Sequence, residues 1–284
     1  MTVTIIGIGL IGGSAAIDLR KRGFAATILG VDNDKINASA ALSLGLVDEI
    51  CTLEEGVKRG DLVIISTPAN ATLTLLPKIL DIAGNKTIIT DVSSTKFEIC
   101  QKVKNHVNRG RFVASHPMAG TEFSGPWAAI SGLFDGRGAI VCDPEQSDKD
   151  ALDTIQKMYE TLNMRIIYMT SSSHDTHAAY VSHISHISSF ALALTVLEKE
   201  KDEKNIFDMA SGGFDSTVRL AKSSSDMWVP VFMQNKENVL TVLRTYIDKL
   251  REFETFIESE EEEKIKSLIE SSNKIRKVLN CNKN

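Results

Sequence analysis

Three glycines spaced as G-x-G-x-x-G, directly after the first apolar segment, constrain the fold of this chain more than any other feature. Gly7, Gly9 and Gly12 follow residues 3–6 and open a helical segment. In a strand, turn and helix of this kind, the first glycine permits the tight turn and the second lets the backbone approach a diphosphate. The third lets the helix pack closely on the strand, and the diphosphate lies at the helix N-terminus. Leu10 and Ile11, which lie within this turn, are also predicted to contact the bound diphosphate.

An acidic residue follows at the distance that a nucleotide-binding unit requires. Asp32 lies twenty residues beyond Gly12, at the end of a second apolar segment, residues 28–31. Its carboxylate can accept hydrogen bonds from both hydroxyls of a ribose. The same negative charge would repel a 2′-phosphate, and Lys35 is not placed to neutralise one. We therefore expect NAD as the cofactor rather than NADP.

Short apolar segments rich in β-branched residues alternate with amphipathic segments over the first 170 residues. This alternation is typical of a mostly parallel α/β sheet. The segments are almost continuously apolar, as expected of strands that helices cover on both faces. We predict a Rossmann-type, NAD-binding domain over residues 1–170. Its strands are expected at residues 3–6, 28–31, 62–66, 87–90, 112–114, 139–142 and 165–168.

The pattern changes after Ser171, where strand-like segments stop and long segments with the helical period follow. We predict an all-α domain over residues 171–284, with the domain boundary near Thr170. A helical domain with so many apolar positions often completes its core by pairing with a second copy, so we expect a homodimer through this domain. The predicted helices cover residues 175–200, 228–259 and 261–279.

The composition excludes several classes of protein. Hydrophobic residues make up 43% of the chain and charged residues 24%, as in ordinary globular proteins rather than disordered chains. A net charge of −5 without a basic patch argues against nucleic acid as a partner. The four cysteines lie far apart, which fits neither a disulfide framework nor a zinc site, and no apolar segment is long enough to span a bilayer. We expect a cytoplasmic protein that does not enter a membrane.

Polar loops follow three of the predicted strands, at residues 66–68, 91–96 and 115–122, where an α/β sheet presents groups to its ligand. His116 precedes Pro117, which favours an extended loop. Hydride transfer from an alcohol releases a proton, and an imidazole has a pKa suited to accepting it. His116 is therefore the candidate base, although a surface histidine bonded to the backbone would also fit this position. Cofactor contacts are expected from Ser66, Thr67, Pro68 and Asp91.

Four histidines cluster at the start of the helical part, His174, His177, His183 and His186. Their spacing places pairs of them on shared helix faces. A metal site is one interpretation, but the segment offers no further carboxylate in register beyond Asp175, and hydride transfer to NAD needs no metal. We expect no metal, and we expect some of these histidines to line the ligand cleft.

Arg219 lies in a polar segment that opens with two glycines. A guanidinium held there could bind a carboxylate through two parallel hydrogen bonds. A surface ion pair on a helix is the alternative interpretation.

Together these motifs resemble the prephenate dehydrogenase family of tyrosine biosynthesis. The block SHPMAGTE is the most specific of them, because generic dinucleotide-binding enzymes share the glycine motif but not this one. The matching segments are GIGLIGGS from Gly7, DVSSTK from Asp91, SHPMAGTEFSG from Ser115, HD at His174, SHISH from Ser182 and TVRLAKSSSDMW from Thr217.

The resemblance implies oxidative decarboxylation of prephenate to 4-hydroxyphenylpyruvate, with NAD as the hydride acceptor. It implies that His116 accepts the proton of the ring hydroxyl, that Ser94 supports the same oxygen, and that Arg219 holds a substrate carboxylate. The further substrate contacts that it implies are Thr121, Glu122, Ser182, His186 and Trp228.

The sequence departs from the family pattern in two places and leaves other functions open. Asp215 stands where relatives often carry a basic residue, and Ser185 replaces a common proline. An arogenate or dual-specificity cyclohexadienyl dehydrogenase would share all the motifs. A hydroxyacid dehydrogenase would typically place a lysine base in the first long helix of the second domain, where this chain has histidines and serines. A non-catalytic NAD-sensing regulator would need neither His116 nor Arg219.

Overall fold

Strands in the described part of the chain form one eight-stranded sheet. They are β1 (Thr2–Ile6), β2 (Thr27–Val31), β3 (Glu49–Ile50), β4 (Leu62–Ile65), β5 (Ile88–Asp91), β6 (Phe112–Pro117), β7 (Gly138–Cys142) and β8 (Arg165–Met169). Their order is β3-β2-β1-β4-β5-β6-β7-β8. All neighbours pair in parallel except β6 and β7, so the mostly parallel sheet is confirmed. The two-residue strand β3 is too short for the sequence pattern to predict.

The computed structural model describes residues 1–201 and 209–277. Contacts divide the chain into two compact units, Met1–Lys236 and Glu237–Asn284. The first unit therefore extends beyond the sheet and includes the first helices after Ser171. The division into domains at residues 170 and 171 stays a prediction.

Helices connect the strands and continue the first unit beyond the sheet. Asp34 accepts hydrogen bonds from the backbone N–H groups of Ile36 and Asn37, and so caps the second of these helices. The helices are α1 (Leu10–Lys21), α2 (Lys35–Ser43), α3 (Leu53–Arg59), α4 (Ala69–Ile82), α5 (Phe97–Lys102), α6 (Lys149–Thr161), α7 (Ser171–Ala178), α8 (Ile184–Glu200), α9 (Gly212–Val218) and α10 (Ser225–Gln234).

Apolar side chains fill both faces of the sheet. Along β4, Leu62 and Ile64 belong to one buried cluster, while Val63 and Ile65 belong to the other. Successive side chains of a strand point to opposite faces, so a strand covered on both faces must be apolar at every position. This explains why the strands could be predicted as continuous apolar segments.

The strand order reverses direction at the neighbours β1 and β4, since β2 and β3 lie to one side of β1 and the later strands lie to the other. A crevice opens at the carboxyl ends of strands at such a switch point, and ligands of open α/β sheets bind there. Gly7 and Ser66 directly follow β1 and β4, which places both at this crevice.

Helix boundaries after Ser171 differ from the prediction in two places. The predicted helix over residues 228–259 is two helices, α10 and α11 (Lys236–Glu258), separated at Asn235. Asn235 is buried and donates side-chain hydrogen bonds to the Asp175 carbonyl and to His183 Nδ1. The predicted helix over residues 261–279 is α12 (Glu262–Ser272), and the end of the prediction lies outside the described residues.

The segment Ser171–Glu200 is one helical run in which a π-helical turn, Ala179–His183, joins α7 to α8. By length and composition alone it could cross a membrane, and it is the one such helix in the described ranges. His174, Asp175 and His183 on this run are buried and hydrogen-bonded within the first unit. We therefore interpret it as a helix of the folded protein.

Candidate active site

The glycine turn has the close packing that its spacing predicts. Gly7 has a φ of 87°, which side chains rarely adopt. A Cβ atom on Gly12 would lie 2.4 Å from the carbonyl oxygen of Gly7. A Cβ on Gly9 would meet nothing within 4 Å, so its backbone faces open space at the N-terminus of α1. Free N–H groups at a helix N-terminus bind a diphosphate, and the turn therefore fits a dinucleotide.

The side chains around the turn hold it in place. Asp32 Oδ2 accepts a hydrogen bond of 3.0 Å from the backbone N–H of Ile8, and Oδ1 accepts one of 2.9 Å from Asp34. Ser66 Oγ donates to the carbonyl of Gly7 at 2.6 Å. Asp32 is thus fixed at the end of β2, with its remaining lone pairs available to a ribose.

A cleft of about 1050 Å³ continues from this turn. It holds four of the predicted cofactor residues, Gly7, Asp32, Thr67 and Pro68. Leu10 is buried, so a ligand would meet its backbone rather than its side chain, and Ile11 is partly buried. The other lining residues are Ile6, Val31, Asn33, Cys51, Thr52, Leu53, Asn70, Ala71, Thr74, Leu75, Ser225, Asp226, Val229 and Pro230.

His116 lies within β6 and not in an extended loop, so the predicted end of this strand at residue 114 is wrong. It pairs with Ile140 of the antiparallel strand β7, and only 8% of its surface is exposed. This pairing with β7, which the sequence did not reveal, continues the strand to Pro117 and holds the imidazole in a buried position.

Three buried side chains form a hydrogen-bonded chain that we call the buried relay: Asp175, His174 and His116. His116 Nδ1 and His174 Nε2 lie 2.8 Å apart, and His174 Nδ1 lies 2.7 Å from Asp175 Oδ1. Asp175 also accepts hydrogen bonds from the backbone N–H groups of Lys96 at 2.8 Å and Phe97 at 2.9 Å. The carboxylate therefore joins α7 to the loop that follows β5.

The acceptors in the buried relay determine where the protons lie. An ionised carboxylate only accepts, so His174 Nδ1 carries a proton. In a neutral His174 the Nε2 atom then accepts, and His116 Nδ1 must be the donor to it. The Nε2 atom of a neutral His116 is left with a free lone pair, as a general base requires.

Burial keeps His116 in this neutral form. Desolvation lowers the pKa of His116 well below its usual range, and the neighbouring His174, Lys96 and His183 lower it further. At neutral pH the imidazole is therefore unprotonated, and its free lone pair is available to a ligand.

The loop carrying Ser94 is supported by a fully buried ion pair. Lys96 Nζ contacts Asp91 Oδ2 and donates to the carbonyl of Ser115 at 2.8 Å. Asp91 also accepts a hydrogen bond from the backbone of Ser93. The Asp91 carboxylate, which we expected to face the cofactor, is thus committed inside the fold, while Ser94 remains partly exposed.

Arg219 forms an ion pair with Glu122 at 3.0 Å, which we call the anion clamp. The Arg219 side chain is 48% exposed, in contrast to the buried relay. Thr121, next to Glu122, accepts a hydrogen bond from the backbone of Phe123. Asp215, at the position that departs from the family pattern, pairs with the exposed Lys222.

Three of the other predicted substrate residues lie together. The ring of His186 stacks on Trp228 with a centroid separation of 3.5 Å, and His186 Nδ1 donates to the Ser182 carbonyl. Desolvation lowers the pKa of His186. Buried nitrogen atoms of Trp228 and His183 have no hydrogen-bond partner among the described residues.

The sequence did not identify His174 and Asp175 as site residues. The dipeptide was visible as part of the resemblance, but the contact with His116 spans 58 positions and depends on how α7 packs against the sheet. A histidine followed by an aspartate was the available signal. No group of three or more His, Cys, Asp or Glu residues in the described ranges could hold a metal.

Comparison with known protein families shows two matches that together cover most of the chain. The model described as "Prephenate dehydrogenase, nucleotide-binding domain" matches residues 15–168, and "Prephenate dehydrogenase, dimerization domain" matches residues 170–271. The chain is 31% identical to the prephenate dehydrogenase of Bacillus subtilis over 275 residues, which cover 93% of this chain and 72% of that protein.

Solved structures agree with this match. The prephenate dehydrogenase of Aquifex aeolicus, in complex with hydroxyphenyl propionate and NAD+, has a TM-score of 0.86 and 31% identity, covering 98% of both chains. The arogenate dehydrogenase of Synechocystis has a TM-score of 0.75 and 26% identity, covering 98% of this chain and 100% of its own.

Proposed function

This chain belongs to the prephenate dehydrogenase family of NAD-dependent oxidoreductases, and we propose that it converts prephenate to 4-hydroxyphenylpyruvate and carbon dioxide. In this reaction the ring hydroxyl loses its proton, the carbon that bears it loses a hydride, and the ring carboxylate leaves as carbon dioxide. The ring becomes aromatic as the carbon dioxide leaves, and the proton returns to the ring oxygen to give the hydroxyl group of the product. NAD, when bound, accepts the hydride. The observation that carries the proposal is the buried relay, which leaves a lone pair on His116.

His116 takes the proton of the ring hydroxyl at Nε2. Its Nδ1–H donates to His174 Nε2, and Asp175 holds His174 in the tautomer that accepts this hydrogen bond. Ser94 supports the same hydroxyl oxygen from the neighbouring loop, which Lys96 and Asp91 hold in place. His116 and Ser94 are thus the proposed catalytic residues, and His174 and Asp175 are positioning residues.

Arg219 binds a carboxylate of the substrate. A guanidinium has five N–H donors, and the hydrogen bond to Glu122 uses one of them, so donors remain for a ligand. Glu122 orients the guanidinium. Thr121, Ser182, His186 and Trp228 complete the proposed substrate residues, and the buried ring of Trp228 acts by holding the stacked ring of His186 in place.

The cofactor contacts divide between backbone and side chains. Asp32 binds the adenosine ribose, and Thr67 and Pro68 line the cleft. Ser66 and Asp91 act through the fold, by holding the glycine turn and the Ser94 loop. The diphosphate contacts come from the backbone of Gly7, Gly9, Leu10, Ile11 and Gly12.

We infer that the protein is a cytoplasmic homodimer, paired through the helical domain. The family match over residues 170–271 is to a dimerization domain. The three described cysteines are free thiols, in keeping with a reducing compartment. Nucleic acid and membrane are not expected as partners.

The experiment that tests the function measures NADH formation by the wild-type protein with prephenate and with arogenate side by side. Turnover of prephenate in excess of arogenate supports the proposal. Preference for arogenate, or equal use of both, would assign the chain to the arogenate or dual-specificity enzymes. No turnover of either substrate would contradict both assignments and leave a non-catalytic NAD-binding protein.

A further inference from the structure

One helix from the part of the chain after Ser171 forms a wall of the cofactor cleft. Ser225, Asp226, Val229 and Pro230 of α10 line it, together with Asp32 at the end of β2. We propose that Asp226 is a second determinant of cofactor selectivity, which acts with Asp32 to reject the 2′-phosphate of NADP. This inference rests on the dinucleotide binding described above and adds a residue outside the glycine turn.

The two faces of α10 have different surroundings. Asp226, Val229 and Pro230 are spaced by three and four residues, so they share one helix face, and this face lines the cleft. Trp228 and Val231, on the other side, are buried. The packing of these two residues fixes the rotation of α10, and with it the direction in which Asp226 is presented.

Among the residues that the structure describes, the lining of the cleft carries negative charge and no compensating cation. Asp32 and Asp226 are its acidic lining residues, and none of the described residues that line it is a lysine or arginine. Asp226 is exposed and makes no ion pair with any described residue. A 2′-phosphate placed in this cleft would therefore add its charge to two carboxylates, without the arginine that NADP-binding sites supply.

The position of Asp226 at the N-terminus of α10 gives it a second effect on phosphate binding. Ser224 provides no side-chain cap, so the first N–H groups of α10 have no partner from it. Free N–H groups of this kind attract a phosphate. Asp226 lies in the first turn, where its carboxylate compensates the positive end of the helix. Removing this charge should end its repulsion of the 2′-phosphate. It should also leave the first N–H groups of α10 free to bind that phosphate.

The test is the variant Asp226→Asn, studied by calorimetric titration with NAD and with NADP in the absence of substrate. We expect the ratio of NADP affinity to NAD affinity to rise by roughly 10-fold, the order of magnitude for one like-charge contact in a partly solvated cleft. The double variant Asp32→Asn with Asp226→Asn should raise the ratio further than Asp32→Asn alone. Asp153→Asn, which removes one exposed carboxylate of α6 outside the cleft, is the matched control and should leave the ratio at the wild-type value.

Two results would overturn the proposal. One is an unchanged affinity ratio in Asp226→Asn while Asp32→Asn changes it, since α10 would then take no part in selectivity. The other is an equal loss of affinity for both cofactors, which would make Asp226 a direct ligand of the shared part of the dinucleotide. Because binding is measured without substrate, failure to turn over prephenate would not affect either result.

Discussion

The buried relay and the anion clamp both pair charged or ionisable side chains, but they differ in exposure. Asp175, His174 and His116 are almost fully buried, and hydrogen bonds join Asp175 to His174 and His174 to His116. Arg219 is about half exposed and pairs with one carboxylate. Burial makes every contact of the relay strong and directional, because the alternative is an unsatisfied polar group in a medium of low dielectric constant. An exposed pair is weak, so its partners can be exchanged for a ligand.

The comparison predicts that the relay controls the chemical step and the clamp controls binding. The largest effect is expected for His116→Asn, which removes the base from the buried end of the site. We expect kcat for NADH formation to fall by about 10³- to 10⁴-fold, the upper part of the range for general base catalysis. His177→Asn is the matched control, since this exposed histidine of α7 lies outside the relay and should retain wild-type kcat. If His116→Asn kept its rate while still binding NAD, the base would be another residue.

The second effect concerns the far end of the relay. In Asp175→Asn the new amide can donate to His174 Nδ1, which reverses both tautomers and places a proton on His116 Nε2. His116 then has no free lone pair at Nε2. We expect kcat to fall by roughly 10²- to 10³-fold. This is somewhat less than when asparagine replaces the aspartate of a catalytic triad, because that aspartate contacts the base directly, whereas Asp175 acts through His174.

Asp143→Asn provides the control for Asp175→Asn. Asp143 is buried and also anchors α7, by accepting a hydrogen bond from the backbone of Ser171, but it does not contact His174. Both variants should lose stability in urea, whereas only Asp175→Asn should lose kcat. Equal losses of kcat would show that Asp175 acts through folding alone.

The third prediction uses the pH dependence of stability to distinguish the buried histidines from the anion clamp. Burial lowers the pKa of His183 from 6.5 to about 4, and it lowers the pKa of His116 as well. The unfolded chain therefore binds these protons more readily, so the stability that they carry is present above pH 6.5 and is lost as the pH falls towards 4. For His183 the loss is about 3 kcal/mol in the free energy of unfolding.

Urea unfolding at pH 7 and at pH 5 measures this dependence. His183→Gln should weaken the dependence on pH, while His177→Gln, at an exposed position, should not. Arg219→Gln should also leave it as in the wild type, because the anion clamp contains no histidine. If the wild-type protein had the same free energy of unfolding at pH 7 and at pH 5, the buried histidines would not be held neutral.

The smallest effect is expected at the clamp. Arg219→Gln should raise KM for prephenate by about 10- to 100-fold, as expected for one lost charged hydrogen bond, with a smaller change in kcat. Lys222→Gln removes the same charge three residues further on, where the side chain pairs with Asp215, and it should change KM less. An unchanged KM in Arg219→Gln would remove its role as the substrate carboxylate ligand.

Much of the fold could be predicted because its signals are local. The strands are continuous apolar segments, and each of them can be recognised from its own few residues. The errors arose where tertiary contacts decided an element. Pairing with β7 extends β6 to include His116, and the buried side chain of Asn235 separates α10 from α11.

The sequence by itself determined the nucleotide-binding turn, since Gly7, Gly9 and Gly12 act through a contiguous backbone whose geometry depends on their spacing. Tertiary structure decided the proton path, because His116 and His174 meet only when β6 and α7 are packed together. It also decided that the Asp91 carboxylate forms an ion pair with Lys96 inside the fold. Local backbone conformation is encoded within a few residues, whereas the partner of a buried side chain depends on the topology of the whole sheet.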